Sequence, residues 1–290
     1  MPGSFSKELI NRLTALAILM SKVYHMSMPG SSPLIHIVAD YGSGDLSFAE
    51  VVQRFKYLNP KAKIFTTSTP PFSTLNTGFI IAQLALYNPS RHLFIFGNTA
   101  PRTDDKKQRY ENEGEKFKYA LLDNGVQIAA VDAGWCFSFV RNHIKDFRLI
   151  NVKNHGSQFR SRDFYPEATV GLLNGRRDKF LGPKLPTGYI PKVPNNRIVH
   201  IDGYGNIKTT IRYSSVKLKP GSKIRVVINH IYQSGYYANG NFSVKSGDLA
   251  FAPGSSGGDN PFMEVFLRAG NAWRAFNNPP VETKIKIESF

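Results

Sequence analysis

The sequence predicts an α/β chain in two parts: an N-terminal domain built on a mostly parallel sheet, then a smaller C-terminal all-β barrel or sandwich. Three observations predict it. Before residue 182, short apolar runs alternate with stretches of helical periodicity. At 182–196 (GPKLPTGYIPKVPNN) four prolines and little periodicity interrupt the pattern. Beyond it stand only short alternating runs separated by Gly, Pro, Ser or Asn.

The run 34–39 ends at Asp40-Tyr41-Gly42, as a buried parallel strand should end in a tight turn. Over 46–58, Phe48, Val51, Val52, Phe55 and Leu58 recur at helical spacing, and Asn59-Pro60 stops them. A second strand is predicted over 63–67. Pro70-Pro71-Phe72 then breaks the chain before a helix over 75–87, stopped by Asn88-Pro89. A third strand covers 92–96, and a fourth, 118–122, ends at Asp123-Asn124-Gly125. Such strand-helix repetition gives a Rossmann-like sheet with ligands at the carboxyl ends of its strands. The charged stretch 103–115 reads as a solvated loop or hairpin. The later strands are predicted at 197–201, 208–213, 223–230, 248–251, 262–267 and 283–288. The expected boundaries are an N-terminal extension at 1–33, the α/β domain at 34–181, a linker at 182–196 and the β domain at 197–290.

With 290 residues, 41% of them hydrophobic and spread along the chain, the protein can bury a core and is not of the disordered class. Its 37 basic and 21 acidic residues give a formal charge of +16. The basic groups are dispersed (Lys106-Lys107, Arg176-Arg177, 217–225), with no recognition helix or zinc-finger spacing beside them. That leaves a non-specific, salt-sensitive affinity for nucleic acid as the basic-surface reading. The single cysteine, Cys136, excludes an internal disulfide and reads as a buried, inert thiol. Seven histidines without H-x-H or H-E-x-x-H spacing predict no metal site and no cofactor bound through one. Residues 9–23 read as an amphipathic helix, too short for the ~20 apolar residues of a membrane span. No small-x-small cleavage site follows, so the chain reads as cytoplasmic, with no membrane partner.

Two acidic turns carry the functional argument: Asp40-Tyr41-Gly42-Ser43-Gly44-Asp45-Leu46-Ser47, and Asp202-Gly203-Tyr204-Gly205-Asn206-Ile207-Lys208-Thr209. Each sets a carboxylate beside an aromatic and a glycine after an apolar run, where the backbone can turn and expose the acid. Together they suggest one hydroxyl-rich or cationic ligand held between two domains. The plainer alternatives are that Asp40 and Asp202 cap turns, that Asp45 is a helix N-cap, and that Phe72, Tyr204 and Phe242 are core aromatics.

The order of motifs resembles the S-adenosylmethionine hydroxide adenosyltransferases and the related fluorinases and chlorinases. Their D-F-G-x-x-D turn is matched by Asp40 to Asp45, and their I-x-P-F/W element by Pro70-Pro71-Phe72. The D-N-G turn is matched by Asp123-Asn124-Gly125 and the F-H-G-R-D element by Phe159-Arg160-Ser161-Arg162-Asp163. In the second domain D-x-F-G-N-x-x-T is matched by Asp202 to Thr209, and Ser255-Ser256-Gly257 and Gly270-Asn271-Ala272 close the pattern. The resemblance spans roughly residues 34 to 273. It implies that S-adenosylmethionine is a substrate, with Asp40 on its ribose hydroxyls, and Ser47 and Asp202 on its amino-acid end. It implies Phe72 against the ribose or reacting methylene, and Asn124 and Asp45 among the binding residues. Tyr204, Asn206, Phe242 and Asn271 would surround the adenine, and Ser255 and Ser256 would hold the methionine carboxylate. It implies a homotrimer with sites between subunits.

The chain departs from the pattern where hydrolytic members place their water. The aspartate of a D-P-G turn after the third strand is replaced by Asn98, in Phe96-Gly97-Asn98-Thr99-Ala100, and the histidine by Arg160. An amide is no base and an arginine stays protonated. Arg102 lies out of register and nothing places His155 in the pocket. The expectation is hydrolysis to adenosine and methionine by a rearranged set, Asn98, Arg160 and Ser161. A binder without turnover is the alternative. Halide use is the third reading, because Ser161 stands where fluorinases have serine, although their long insertion before the D-N-G-type turn is missing.

Overall fold

The computed structural model describes residues 32–87, 89, 92–100 and 113–290. The helix predicted at 9–23, Arg102 and most of the charged stretch 103–115 lie outside them. Among the described residues two seven-stranded sheets make up the architecture. The first contains β1 (Leu34–Ala39), β2 (Lys63–Ser68), β3 (Leu93–Asn98), β4 (Phe117–Leu122), β5 (Gln127–Val131), β6 (Ile144–Ile150) and β7 (Leu181–Lys184), in the order β2-β1-β3-β5-β4-β6-β7.

The first four strands in that order are parallel, whereas β4, β6 and β7 pair antiparallel. The sheet is therefore mixed, not mostly parallel. For β4 and β5 the cause is local: the connection 123–126 is too short for a crossover, so it can only reverse the chain into a hairpin. Three strands of this sheet, β5 to β7, follow the last one predicted. The proline-rich stretch 182–196 begins inside β7, and Leu185, Ile190 and Val193 lie on the first core.

Among the described residues five helices accompany this sheet: α1 (Leu46–Leu58), α2 (Thr74–Ala82), α3 (Arg160–Asp163), α4 (Tyr165–Leu173) and α5 (Arg177–Phe180). α1 buries Phe48, Val51 and Phe55, the face its spacing predicts. α2 is buried on every side because it lies between β1 and β3 of the first sheet and β8 of the second. Its sequence, TLNTGFIIA, has no charged face to offer solvent. A π-helical turn, Gln83–Tyr87, continues it. Gly78 is required here: a Cβ would lie 2.2 Å from the carbonyl oxygen of Trp135.

The second sheet contains β8 (Ile198–Ile201), β9 (Ile207–Arg212), β10 (Lys223–Ile228), β11 (Ile231–Tyr237), β12 (Leu249–Pro253), β13 (Phe262–Leu267) and β14 (Ile285–Ser289). Its order is β14-β10-β11-β12-β13-β9-β8. The sheet curls so that its edges meet at one end, through an antiparallel bridge between Arg197 and Lys284. Ile198 N–H donates to the Thr283 carbonyl, and Ile285 N–H to that of Asn196, both at 2.9 Å. A half-barrel results. β11 was missed because Gln233-Ser234-Gly235 breaks its apolar alternation. A short helix, α6 (Ala272–Ala275), follows β13. Among the described residues no helix is long and apolar enough to cross a membrane.

The sheets are joined through α2. Asn76 Nδ2 donates to the Val199 carbonyl at 2.7 Å and to His200 Nδ1 at 3.0 Å, so that ring nitrogen accepts. Phe79 stacks on His200 and meets Phe139 and Phe262 edge-on. Burial, then the Lys208 charge, hold the His200 imidazole below its ordinary value of 6.5. Because its folded pKa is depressed, it favours the folded chain fully above about pH 6.5, and that contribution is lost as pH falls. His36, also held down by burial, acts in the same direction. The thermal midpoint is expected to fall between about pH 7.5 and 5.5. His200→Gln, which keeps an acceptor for Asn76, should shrink that fall; an undiminished fall would show that the joint is not where the proton acts.

Candidate functional site

β1 and β3 end side by side, Ala39 opposite Asn98, so Asp40 and Asn98 emerge at one carboxyl edge. Asp40 Oδ2 accepts the backbone N–H groups of Phe72 and Ala100, each at 3.1 Å. It thus ties the loop after β2 to the loop after β3. Phe72 is held at φ 64, a strained conformation for an aromatic residue, and its side chain is 41% exposed.

Tyr41 sits beside this carboxylate, with its ring edge-on to Phe48 and Phe159. Its hydroxyl lies 2.5 Å from Ser161 Oγ and accepts from Asn98 Nδ2 at 3.1 Å. Burial above all, with the nearby Asp40 charge adding to it, pushes the phenol well above its ordinary pKa, so it stays protonated at neutral pH. Asn98 and Ser161 are therefore brought together through a residue the sequence reading did not single out. The only signal for it was a tyrosine where the resembled turn has phenylalanine.

Arg160 donates to the Ser157 carbonyl at 3.1 Å, hydrogen-bonds Tyr165, and lies over Gly114, where a Cβ would meet its guanidinium at 2.1 Å. Asp45 is the N-cap of α1, accepting from Ser47 N–H at 2.7 Å. Hydrogen bonds from the Ser47 side chain and backbone hold its carboxyl below the ordinary range.

Asn124 is not brought to this edge. β5 runs parallel to β3 with Phe94 opposite Gln127, which puts 123–126 at the amino ends of the parallel strands. There Asn124 accepts from Val126 N–H and donates to the Ala85 carbonyl, closing its own hairpin. The D-x-G turn that stands at the carboxyl edge is Asp132-Ala133-Gly134, directly after β5. Gly134 has φ 44, a Cβ there would strike Thr74 Oγ1 at 2.3 Å, and Trp135 N–H donates to that same oxygen. Asp132 accepts from Lys118, which also donates to the Tyr189 hydroxyl. The signal was available in the spacing, since an acid and a glycine end an apolar run there too.

In the second half, Asp202 closes its own turn. Oδ1 accepts from Tyr204 N–H at 2.9 Å and Asn206 N–H at 3.0 Å, and Oδ2 from Asn206 Nδ2 at 2.9 Å. Gly205, at φ 81, leaves room for the Asn271 side chain, which a Cβ would approach to 2.1 Å. Asn271 caps α6 by accepting from Arg274 N–H at 2.8 Å. Asn206 and Asn271 thus flank one glycine. Tyr204 and Phe242 are 83% and 85% exposed, so neither is a core aromatic. The Arg268 guanidinium stands 5.7 Å from the Phe242 ring.

Ser255 N–H donates to Glu264 Oε1 at 3.1 Å, while the buried Ser256 accepts Phe262 N–H on its carbonyl. Lys208 Nζ, 3.5 Å from Ser255 Oγ, pairs with Glu264 Oε1 at 2.5 Å. Glu264 and Lys208 are register partners on β13 and β9.

The fold and these clusters define a class: two sheets joined by a buried helix, with polar groups gathered at the carboxyl ends of parallel strands and at the turns of a half-barrel. Solved structures share that fold. A crystal structure of an uncharacterized conserved protein from Thermotoga maritima aligns with TM-score 0.70 and 18% identity, covering 88% of this chain and 99% of that one. A conserved hypothetical protein from Thermus thermophilus aligns with TM-score 0.63 and 16% identity, covering 90% and 100%. Among curated proteins, (R)-S-adenosyl-L-methionine hydrolase from Methanocaldococcus jannaschii is 24% identical over 213 residues, 68% of this chain and 74% of the relative. No family model matches the chain. The resemblance carried by the motif order thus has a curated relative behind it.

Removing Lys208 tests the buried pair. Lys208→Met leaves the Glu264 side chain, 2% exposed, without its cation, and should cost about 3–5 kcal/mol of stability. Adding Glu264→Gln should restore most of it, read as the midpoint of denaturant unfolding. No restoration would mean that packing, and not charge, sets the loss.

Proposed function

We propose that this protein transfers the adenosyl group of S-adenosylmethionine to water or hydroxide, giving adenosine and methionine. The observation that carries the reading is the Asn98–Tyr41–Ser161 hydrogen-bonded chain beside Asp40, at the carboxyl ends of β1 and β3. The named activity of the Methanocaldococcus relative supports the reaction class. The sulfonium is already an excellent leaving group, so the protein need only hold a nucleophile in line with the C–S bond and exclude other water. The oxygen–C5' bond forms, the C5'–S bond breaks with its electron pair going to sulfur, and the surplus proton of water passes to solvent.

In this reading Asp40 accepts the ribose hydroxyls, with Phe72 against the ribose or methylene. Asp202, with three hydrogen bonds already on its carboxylate, keeps a lone pair of Oδ2 for the methionine ammonium. Exposed Tyr204 and Phe242 close on the purine, Asn206 and Asn271 meet its edge, and Ser255 and Ser256 meet the methionine carboxylate. Ser47 holds the amino-acid end, with Asp45 supporting it from the N-cap. Asn98 and Ser161 face the nucleophile, with Arg160 near them. The N-terminal half is Rossmann-like in this proposal. The working form is a cytoplasmic homotrimer in which the first sheet's edge on one subunit faces the half-barrel turns of the next.

One observation favours a second reading, a binder without turnover. The cluster offers an amide, a phenol pushed up by burial and a hydroxyl, none of them a base at neutral pH.

Calorimetric titration with S-adenosylmethionine and adenosine, then chromatography of a long incubation with and without chloride, separates the readings. Adenosine and methionine are expected in either buffer. A 5'-chloro nucleoside would move the assignment to a halide-using enzyme, and tight binding without product would leave the binder. Asp40→Ala is expected to weaken binding at least about 100-fold, from the loss of charge-assisted hydrogen bonds to both ribose hydroxyls. Unchanged affinity would remove Asp40 from the ribose.

A further inference from the structure

We propose that Tyr41 is the positioning residue of this site, fixing Ser161 as a hydrogen-bond donor toward the reacting ligand. The inference rests on the adenosyl-transfer reading and deepens it. Its basis is the hydrogen-bonded run from Asn98 through the Tyr41 hydroxyl to Ser161. Asn98 Nδ2 can only donate, and it donates to the Tyr41 oxygen. In the arrangement proposed here the Tyr41 hydroxyl turns its own proton to Ser161 Oγ, 2.5 Å away, a contact in which either oxygen can donate. Ser161 is 5% exposed, and Tyr41 is its side chain's hydrogen-bond partner among the described residues. With its oxygen accepting from Tyr41, the serine proton is left to point at whatever occupies the edge beside Asp40.

With Tyr41 donating, the chain runs amide to phenol to serine to ligand. Burial keeps the phenol protonated, so Tyr41 retains a proton to donate. Each link polarises the next, which strengthens the terminal donor. A terminal donor suits an oxygen carrying negative charge or a lone pair, and it cannot take a proton from water. Tyr41 thus does not replace a lost base. It orients the oxygen nucleophile by a hydrogen bond, and the proton of water leaves to solvent. The ring does separate work, packing edge-on between Phe48 and Phe159, so the hydroxyl can be removed without the shape.

The test is a double-mutant cycle of Tyr41→Phe and Ser161→Ala, with wild-type turnover and binding measured alongside. Ser161→Ala is expected to lower kcat about 100-fold, as for loss of one preorganised donor. Tyr41→Phe should lower it by ~10–100-fold, with KM and adenosine affinity within about threefold of wild type. The double variant should be no slower than the slower single one. A structural role would instead raise KM, weaken adenosine and lower the thermal midpoint together. If wild type turns over and the two effects multiply, or Tyr41→Phe keeps full kcat, the positioning role is overturned and the adenosyl-transfer reading stands. If wild type binds S-adenosylmethionine without turning it over, the cycle is read on affinity. Non-additive losses there uphold the donor chain, and independent losses overturn it. Wild type that neither binds nor turns over S-adenosylmethionine overturns both.

Discussion

The structure depends on a helix with no solvent face. α2 lies between the two sheets, and its polar side chains organise the surrounding loops. Thr77 Oγ1 lies 2.6 Å from Thr99 Oγ1 and 3.1 Å from Thr69 Oγ1, tying the segments after β3 and β2. Thr74 accepts from Trp135 beyond β5. Ser73 and Leu75 donate to Glu282 of the second sheet's closing loop, at 2.7 and 3.2 Å, and Asn76 reaches Val199. Buried hydroxyls and amides cost stability unless paired, and each pairing made here also sets the position of a loop, although Asn76 Oδ1 is left without a partner among the described residues. The carboxyl edge is thus shaped from behind, by a helix that contributes none of the proposed site residues.

What the sequence revealed follows from the range of the forces involved. β1, α1 and β13 are local amphipathic or apolar runs with clear stops, and their observed bounds coincide with the predicted ones. The antiparallel pairing of β4 with β5 depended on one short connection, read as a ligand turn when its length required a hairpin. Asn124 shows the cost of matching a motif by composition: Asn-Gly favours a turn anywhere, and only the strand direction decides which end of the sheet it occupies. The turn at Asp132-Ala133-Gly134 had the right place but a less familiar middle residue. Tyr41 escaped notice because its partners are 57 and 120 residues away, a relation no local pattern encodes.

The chemistry of the edge is that of donors. Where the resembled hydrolases have an acid and an imidazole, this chain gathers an amide, a phenol and a hydroxyl around one carboxylate already gripping two backbone N–H groups. Such a set cannot shuttle protons at neutral pH, and the proposed attack on a sulfonium-bearing carbon asks little of that kind. Orientation and exclusion of competing water are the larger contributions to such a displacement.

The contact between Gly78 and the Trp135 carbonyl has a mechanical consequence. With room for a hydrogen and nothing larger, the helix and the turn interlock like a key in its ward, and sliding one past the other would drive backbone into backbone. Sliding of this helix along the first sheet's turn is therefore closed off. A molecule entering the carboxyl edge must be admitted by the swing of side chains and loops at the rim, while the frame behind them stays still.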